Sequence, residues 1–238
     1  MRIPVVDDLQ DANARIATRN RNTFGVPGLF VLKLIAAPGV GQTSLILSTL
    51  DHLPRSLRPA VIASSLTSGV ERAALAGRGA PVTALKAHVS AVGDVPSART
   101  TPPFPNGTGL DDALPCLPLT QLDLLIVENA GDPFCPVHYT LGTDLSVVVT
   151  SVPEGHSQPA RYPCMFASAD AVVLNKADLL DTTGFDLRGF RGSLQAVNPA
   201  AALFVLSCRT GTGVDAWVTW LLEKWQMFFL GEPLHTAF

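Results

Sequence analysis

The residues whose types and spacing promise chemistry begin at Ala36-Ala37-Pro38-Gly39-Val40-Gly41-Gln42-Thr43-Ser44. An apolar run, Phe30 to Ile35, precedes them, and a helix-like run, Thr43 to Leu53, follows. Strand, glycine turn and helix start form the setting that a phosphate-binding loop needs. Gly39 and Gly41 permit backbone angles that turn consecutive amides towards an anion. The helix start adds unpaired N–H groups and the positive end of a helix dipole. Gly39, Val40, Gly41, Gln42, Thr43 and Ser44 are therefore expected around phosphates, with the Thr43 hydroxyl on a phosphate-bound Mg2+ ion. Two positions depart from the usual pattern. Ala36 stands at the first glycine, and Gln42 stands where a phosphate-reaching lysine is expected.

A second group is Asn175-Lys176-Ala177-Asp178, directly after the apolar run Ala171 to Leu174. An Asn amide can bond a purine ring nitrogen. An Asp carboxylate can accept two bonds from N1 and the exocyclic amine of guanine, a donor pair that adenine lacks. Lys176 can lay its aliphatic stem along the base or the phosphate loop. A third group, Ser207-Cys208, ends the run Ala202 to Leu206, where its backbone can meet the guanine carbonyl. Taken singly, the four-residue string reads more readily as a solvated helix cap after a core strand. Three such groups in order, each after its own apolar strand, point together to a guanine-nucleotide fold. No side chain is assigned as catalytic.

A metal site has weaker support in the spacing. Cys135 and His138 are three apart, and thiolate with imidazole suits Zn2+ or Ni2+. A structural site wants about four ligands, and only two are local. His88, Cys116 and Cys164 are the remaining candidates to converge. A symmetric dimer would double the count. The plain alternative is a small buried thiol beside a surface histidine.

Elements that would position these groups are legible in the order of the chain. Its 238 residues suit one domain with small additions, able to bury roughly 70% of its extended surface. The apolar fraction is 47% and the formal net charge −3, which gives no global pull towards nucleic acid or an anionic membrane. No apolar run approaches the roughly 18 residues of a spanning helix, and the start lacks a long apolar signal segment. Four scattered cysteines in a chain of this size read as reduced thiols in a cytoplasmic protein.

Residues 1–24 read as an amphipathic helix ahead of the core, through Leu9, Ala12, Ile16 and Ala17. Residues 25–238 read as the main domain. Its expected strands are Phe30 to Ala36, Ala60 to Ala63, Pro81 to Leu85, Leu122 to Val127, Leu145 to Thr150, Ala171 to Leu174 and Ala202 to Leu206. Expected helices are Thr43 to Leu53, Glu71 to Ala76, Pro159 to Ala167, Leu187 to Val197 and Val214 to Phe229. Strands alternating with helices predict an α/β fold with a mainly parallel sheet. A Pro- and Gly-rich stretch, about residues 90–109, predicts a long surface loop.

The chain resembles the HypB family, GTPases that help insert nickel into nickel-iron hydrogenases. The phosphate loop is similar to that family's Ser-Pro-Gly-x-Gly-Lys-Thr. The most specific match is Ile126-Val127-Glu128-Asn129-Ala130-Gly131-Asp132-Pro133-Phe134-Cys135-Pro136. Glu154-Gly155, Arg161-Tyr162-Pro163, Leu174 to Leu180, Asn198-Pro199 and Gly213 to Trp217 extend it over nearly the whole chain. The resemblance implies a P-loop NTPase-like three-layer α/β fold, GTP or GDP with Mg2+ as cofactors, and a metallochaperone role. It also implies hydrogenase maturation proteins or the hydrogenase large subunit as partners, and a homodimer.

Departures from the family pattern qualify this. Its Gly-Asp pair after the second strand is Ser64-Ser65 here, and its next Thr and Asp are Ser68 and Glu71. Its adjacent Cys-His pair, which completes an interface nickel or zinc site with the cysteine matching Cys135, is missing. The expected alternatives are a GTP hydrolase impaired at Gln42 and Ser65, and a scaffold that keeps the fold without hydrolysis or nickel delivery. On either reading the homodimer is expected to be weak.

Overall fold

The computed structural model describes residues 24–64, 67–84, 110, 113–130 and 142–231, together with Thr18 and Asn22. Most of the expected N-terminal helix lies outside these residues, although Thr18, Asn22 and Phe24 are helical. The Pro-rich stretch at about residues 90–109 lies wholly outside them.

Among the described residues seven strands form one sheet: β1 (Phe30–Ala36), β2 (Pro59–Ala63), β3 (Val82–Ala84), β4 (Leu124–Ala130), β5 (Leu145–Ser151), β6 (Ala171–Asn175) and β7 (Ala202–Val205). Their spatial order is β3-β2-β4-β1-β5-β6-β7, and every pair is parallel. Helices among the described residues are α1 (Gln42–His52), α2 (Gly69–Ala76), α3 (Gln158–Arg161), α4 (Pro163–Ala167), α5 (Leu180–Thr183), α6 (Leu187–Val197) and α7 (Val214–Leu230). A parallel sheet needs long crossovers, which place helices on both faces and make strands apolar throughout. β1 shows the consequence. Phe30, Leu32 and Leu34 pack with α1 and α7 in one cluster, while Val31 packs in a cluster on the opposite face. A third cluster joins Val148 and Val172 to Phe166 of α4 and Phe190 of α6. The result is a three-layer α/β fold.

Specific polar bonds hold the layers in place. Trp217, fully buried on α7, donates through Nε1 to Thr49 Oγ1 at 2.9 Å, and Thr49 donates to the Leu45 carbonyl at 2.7 Å. The helix behind the phosphate loop is thereby tied to the last helix. Asn198 Nδ2 donates to the carbonyls of Phe166 and Ala169, at 2.9 and 2.8 Å. Its Oδ1 accepts from the amides of Ala200 and Ala201. A buried amide this fully satisfied fixes the turn into β7.

Some elements differ from expectation. The single helix expected over Pro159 to Ala167 is two, α3 and α4, broken at Tyr162. Pro163 has no N–H to continue a helix but suits a first helical position, so a new helix starts there. The strand expected at Leu122 to Val127 lies at Leu124–Ala130, because Leu119–Gln121 forms a 3-10 turn and Leu122 closes it. The shift carries Glu128 into the strand, at the edge where the site lies. Helix α2 starts two residues early, at Gly69. Ser68 caps it, with the Ser68 hydroxyl and Glu71 carboxylate bonded reciprocally to each other's backbone amide.

Candidate functional site

The site is built on the carboxyl ends of β1, β4, β6 and β7. In open parallel sheets this edge, where successive connections run to opposite sides, is where ligands bind. Two cavities adjoin there at Gly41 and Ser44. One, of about 300 Å³, is lined by residues 36–39, Thr43, Ser64, Thr67, Glu71 and Glu128 among others. The other, of about 290 Å³, is lined by Asn175, Lys176, Asp178, Ser207, Cys208 and Arg209 among others.

The loop between β1 and α1 takes its shape from two left-handed glycines, Gly39 at φ 84° and Gly41 at φ 95°. At Gly41 a side chain is excluded twice. Its conformation is rare for L residues, and a Cβ would fall 2.4 Å from Asn175 Nδ2. That close approach lets Asn175 Nδ2 donate to the Val40 carbonyl at 3.0 Å. Asn175 Oδ1 accepts from the amides of Lys176 (2.7 Å) and Cys208 (3.2 Å). One 2%-exposed side chain therefore joins all three loops that the sequence singled out.

Lys176 follows at φ 60°, the one non-glycine with positive φ among the described residues. Such a conformation costs about 1–2 kcal/mol. The bond from its amide to Asn175 Oδ1 offsets part of this, as does the bond from Nζ to the Gly39 carbonyl at 2.7 Å. Ser207 Oγ donates to Asp178 Oδ1 at 2.6 Å and accepts from the Thr210 amide, which orients the carboxylate. Cys208 is half-buried beside Ser48 of α1, and burial pushes its thiol pKa up.

The phosphate side holds two surprises. Gln42 is buried, and its Nε2 donates to the Leu34 carbonyl at 2.9 Å, within the core. Glu128, which sequence reasoning did not single out as a site residue, is 3% exposed at the centre of a hydrogen-bonded cluster. Thr43 Oγ1 donates to its Oε1 at 3.0 Å. The Ser64 amide, at 3.0 Å, and Thr67 Oγ1 donate to its Oε2. The available signal was a carboxylate directly after four apolar residues of a buried strand. Glu71 lies on the same cavity. The Ser68 hydroxyl and amide, with a smaller contribution from Thr43, hold its carboxyl below the usual range.

Gly39, Val40, Gly41, Thr43, Ser44, Asn175, Lys176, Asp178, Ser207 and Cys208 thus come together at one edge of the sheet. Gln42 lines the same cavity, with its amide bonded inward to the Leu34 carbonyl. Ser65, His88, Cys135 and His138 lie outside the described residues. Among the described residues no three His, Cys, Asp or Glu side chains converge on a metal position. Cys116, Cys164 and Cys208 form no disulfide, and no described helix is long and apolar enough to cross a membrane.

A parallel sheet, a glycine turn opening α1, and an Asn-Lys-Ala-Asp turn bonded to it define a P-loop NTPase-like domain. Residues 30–205 match the family described as CobW/HypB/UreG, nucleotide-binding domain. The chain is 35% identical over 219 residues to the hydrogenase maturation factor HypB of Escherichia coli K12, covering 90% of this chain and 70% of that protein. It is 30% identical to the probable HypB of Methanocaldococcus jannaschii, covering 90% and 91%. The crystal structure of Helicobacter pylori HypB in complex with nickel superposes with a TM-score of 0.77 at 25% identity, covering 94% of this chain and 99% of that one. Archaeoglobus fulgidus HypB gives a TM-score of 0.75, also at 25% identity, covering 90% and 98%. The chain belongs to the CobW/HypB/UreG family, within its HypB group, whose named members are maturation factors of hydrogenases.

Proposed function

We propose that this chain binds guanine nucleotide as a HypB-like factor of hydrogenase maturation. The observation that carries the reading is the Asn175 side chain, bonded at once to Val40 of the phosphate loop and to Cys208 of the loop beside the base cavity. Asp178, oriented by Ser207, faces that cavity as the acceptor for the N1 and amine hydrogens of guanine. Its partners are maturation proteins or the hydrogenase large subunit.

Isothermal titration with GDP, GTP and ATP in excess Mg2+ tests the reading. Guanine nucleotides should bind at least about 100-fold tighter than ATP, the order expected when an acceptor covered by the bound base loses its donor pair. Equal binding of ATP, or no binding of any of the three, defeats it.

Mg2+ fits the donors present. The Thr43 hydroxyl and the Glu128 carboxylate are hard oxygen ligands side by side at the phosphate cavity. The ion would supply charge neutralisation at the phosphates, while Gly39 to Ser44 orient them through backbone amides.

A second reading is favoured by one observation, the inward Gln42 amide. The chain would then bind nucleotide and a maturation partner with little or no hydrolysis. Phosphate release from GTP by the purified protein separates the two readings. Nickel or zinc handling through Cys135 is the remaining part of the proposal. Metal titration followed by sedimentation tests it, and tight metal-driven dimers unaffected by Cys135→Ala would remove Cys135 from the site.

A further inference from the structure

We propose that this chain pairs with a second copy of itself along the open edge of β7, in an antiparallel contact that needs neither nucleotide nor metal. The inference is independent of the nucleotide reading above.

β7 ends the sheet and has a neighbour, β6, on one side only. An open edge commonly carries a charge, a proline or a bulge that blocks pairing with other chains. Residues Ala200 to Leu206 contain no charge, proline or glycine. All of β7 is half-exposed, whereas β6 beside it is buried throughout. On one face Phe204 packs against the half-exposed Trp220 of α7, with ring centroids 5.3 Å apart. On the other face Leu203 and Val205 share a cluster with the half-exposed Val197 of α6. Such an edge, apolar itself and flanked by apolar helix surface, suits an apolar strand rather than a charged segment.

The open backbone groups select a second copy as that strand. The Ala202 and Leu206 amides donate inward, to the Asp170 and Leu174 carbonyls. By strand alternation the backbone groups of Ala201, Leu203 and Val205 face outward. Two of these groups are already occupied. The Ala201 amide donates to Asn198 Oδ1 at 3.1 Å, and the Val205 carbonyl lies against Gly213, where a Cβ would fall 2.7 Å from it. The Ala201 carbonyl, both Leu203 groups and the Val205 amide remain, without a backbone partner among the described residues. That set is its own complement about a two-fold axis at Leu203. In an antiparallel pair each Leu203 exchanges both bonds with its copy, and each Val205 amide meets the Ala201 carbonyl of the other chain. Every open group is used, and neither occupied group is needed.

The area sets the strength. Ala201 to Val205 span about 17 Å, and the three layers are about 30 Å deep, so each partner covers roughly 500 Å². The total falls below the roughly 1,200 Å² of stable specific interfaces, in the class of weak, reversible pairs.

The test is residue-resolved amide hydrogen exchange of the full chain, without nucleotide and in excess EDTA, with sedimentation velocity over the same protein concentration series. Dimer should appear as concentration rises. The Leu203 and Val205 amides should slow in proportion to the dimer formed, while those of Val82–Ala84, at the opposite edge, should not. A chain that stays monomeric across the series overturns the proposal. So does a dimer that leaves the Leu203 and Val205 amides unprotected. Leu203→Lys sets two ammonium groups opposite each other at the axis and should weaken the dimer at least about tenfold, whereas Leu203→Val should keep it within about threefold. Unchanged dimerisation of a folded Leu203→Lys protein also overturns the proposal. Exchange in the wild-type protein decides the matter if the lysine variant does not fold.

Discussion

The Gln42 side chain and the Leu34 carbonyl are joined by a 2.9 Å hydrogen bond inside the core. The bond commits the amide end of the phosphate loop's long polar side chain to a core carbonyl, although Gln42 still lines the phosphate cavity. A glutamine held there satisfies a buried carbonyl but brings no charge to a reacting phosphoryl group.

Turnover should reflect that geometry. GTP hydrolysis by the native chain should be slow, and Gln42→Lys should raise it at least about tenfold, since single electrostatic contacts to a developing charge commonly supply about 10²–10³. Single-turnover phosphate release with Mg2+ measures it. No change in a folded Gln42→Lys protein that still binds GTP would show that the missing charge is not what limits hydrolysis.

Gly41→Ala should be costly in both stability and binding. The new methyl would sit 2.4 Å from Asn175 Nδ2 at φ 95°, so Asn175 must release Val40 or the loop must shift. Strain of this kind costs about 1–3 kcal/mol. Denaturant unfolding should show that loss, and GDP titration should show binding weakened beyond it. An alanine variant with native stability and affinity would contradict the described loop geometry.

Asp178→Asn should exchange base preference. The asparagine amide can still accept one hydrogen bond but presents a donor where guanine presents another. GDP affinity should fall by about 1.5–3 kcal/mol, the range for a hydrogen bond to a charged group. Xanthosine diphosphate, which carries a carbonyl in place of the exocyclic amine, should gain. Competition between the two nucleotides reads both effects in one experiment. Retained GDP preference would remove Asp178 from base recognition.

Stability should rise with pH through the alkaline range because of Lys33. This β1 residue is 6% exposed, and burial lowers its pKa from 10.5 to about 8, with the Asp170 charge opposing in part. Between those two values the unfolded chain holds a proton that the folded chain has released. Unfolding free energy therefore increases with pH across the window, by on the order of 3 kcal/mol. Below pH 8 both states are protonated and the full penalty of burying the ammonium remains. Urea midpoints for the native chain and Lys33→Met, measured from pH 7.5 to pH 10.5, should converge as pH rises through about 8. Parallel curves would show that Lys33 does not titrate there.

A weakened switch should follow from the neutral Gln42 and from Ser65, which stand where the family has a lysine and an aspartate. The monomer–dimer equilibrium should differ less than about tenfold, or about 1.4 kcal/mol, between GDP and a non-hydrolysable GTP analogue. Sedimentation velocity over a protein concentration series measures it. A hundredfold tightening with the analogue would restore a strong switch.

Much of the framework was legible from residue order. β1 runs over Phe30–Ala36 and α6 over Leu187–Val197, as their patterns predict. A buried parallel strand is apolar on both faces, and α6 opens at Asp186, whose carboxylate accepts from the Gly189 amide. The Asn175 to Asp178 string and Ser207-Cys208 likewise announced themselves by following apolar strands. Local composition and spacing are sufficient for such features because their physics is local.

Tertiary structure alone decided the rest. Glu128 acquires its place from Thr43, Ser64 and Thr67, residues 61 to 85 positions away on other segments. Asn175 lines the base cavity, and its bonds run to Val40 and Cys208, 135 and 33 positions distant. The inward turn of Gln42 depends on the path of β1 behind the loop, which leaves the Leu34 carbonyl within reach of an amide but out of reach of solvent. A residue's type and its strand or helix can be read from its neighbours in sequence. The direction in which a polar side chain spends its hydrogen bonds is set by which buried donors and acceptors the fold brings near it.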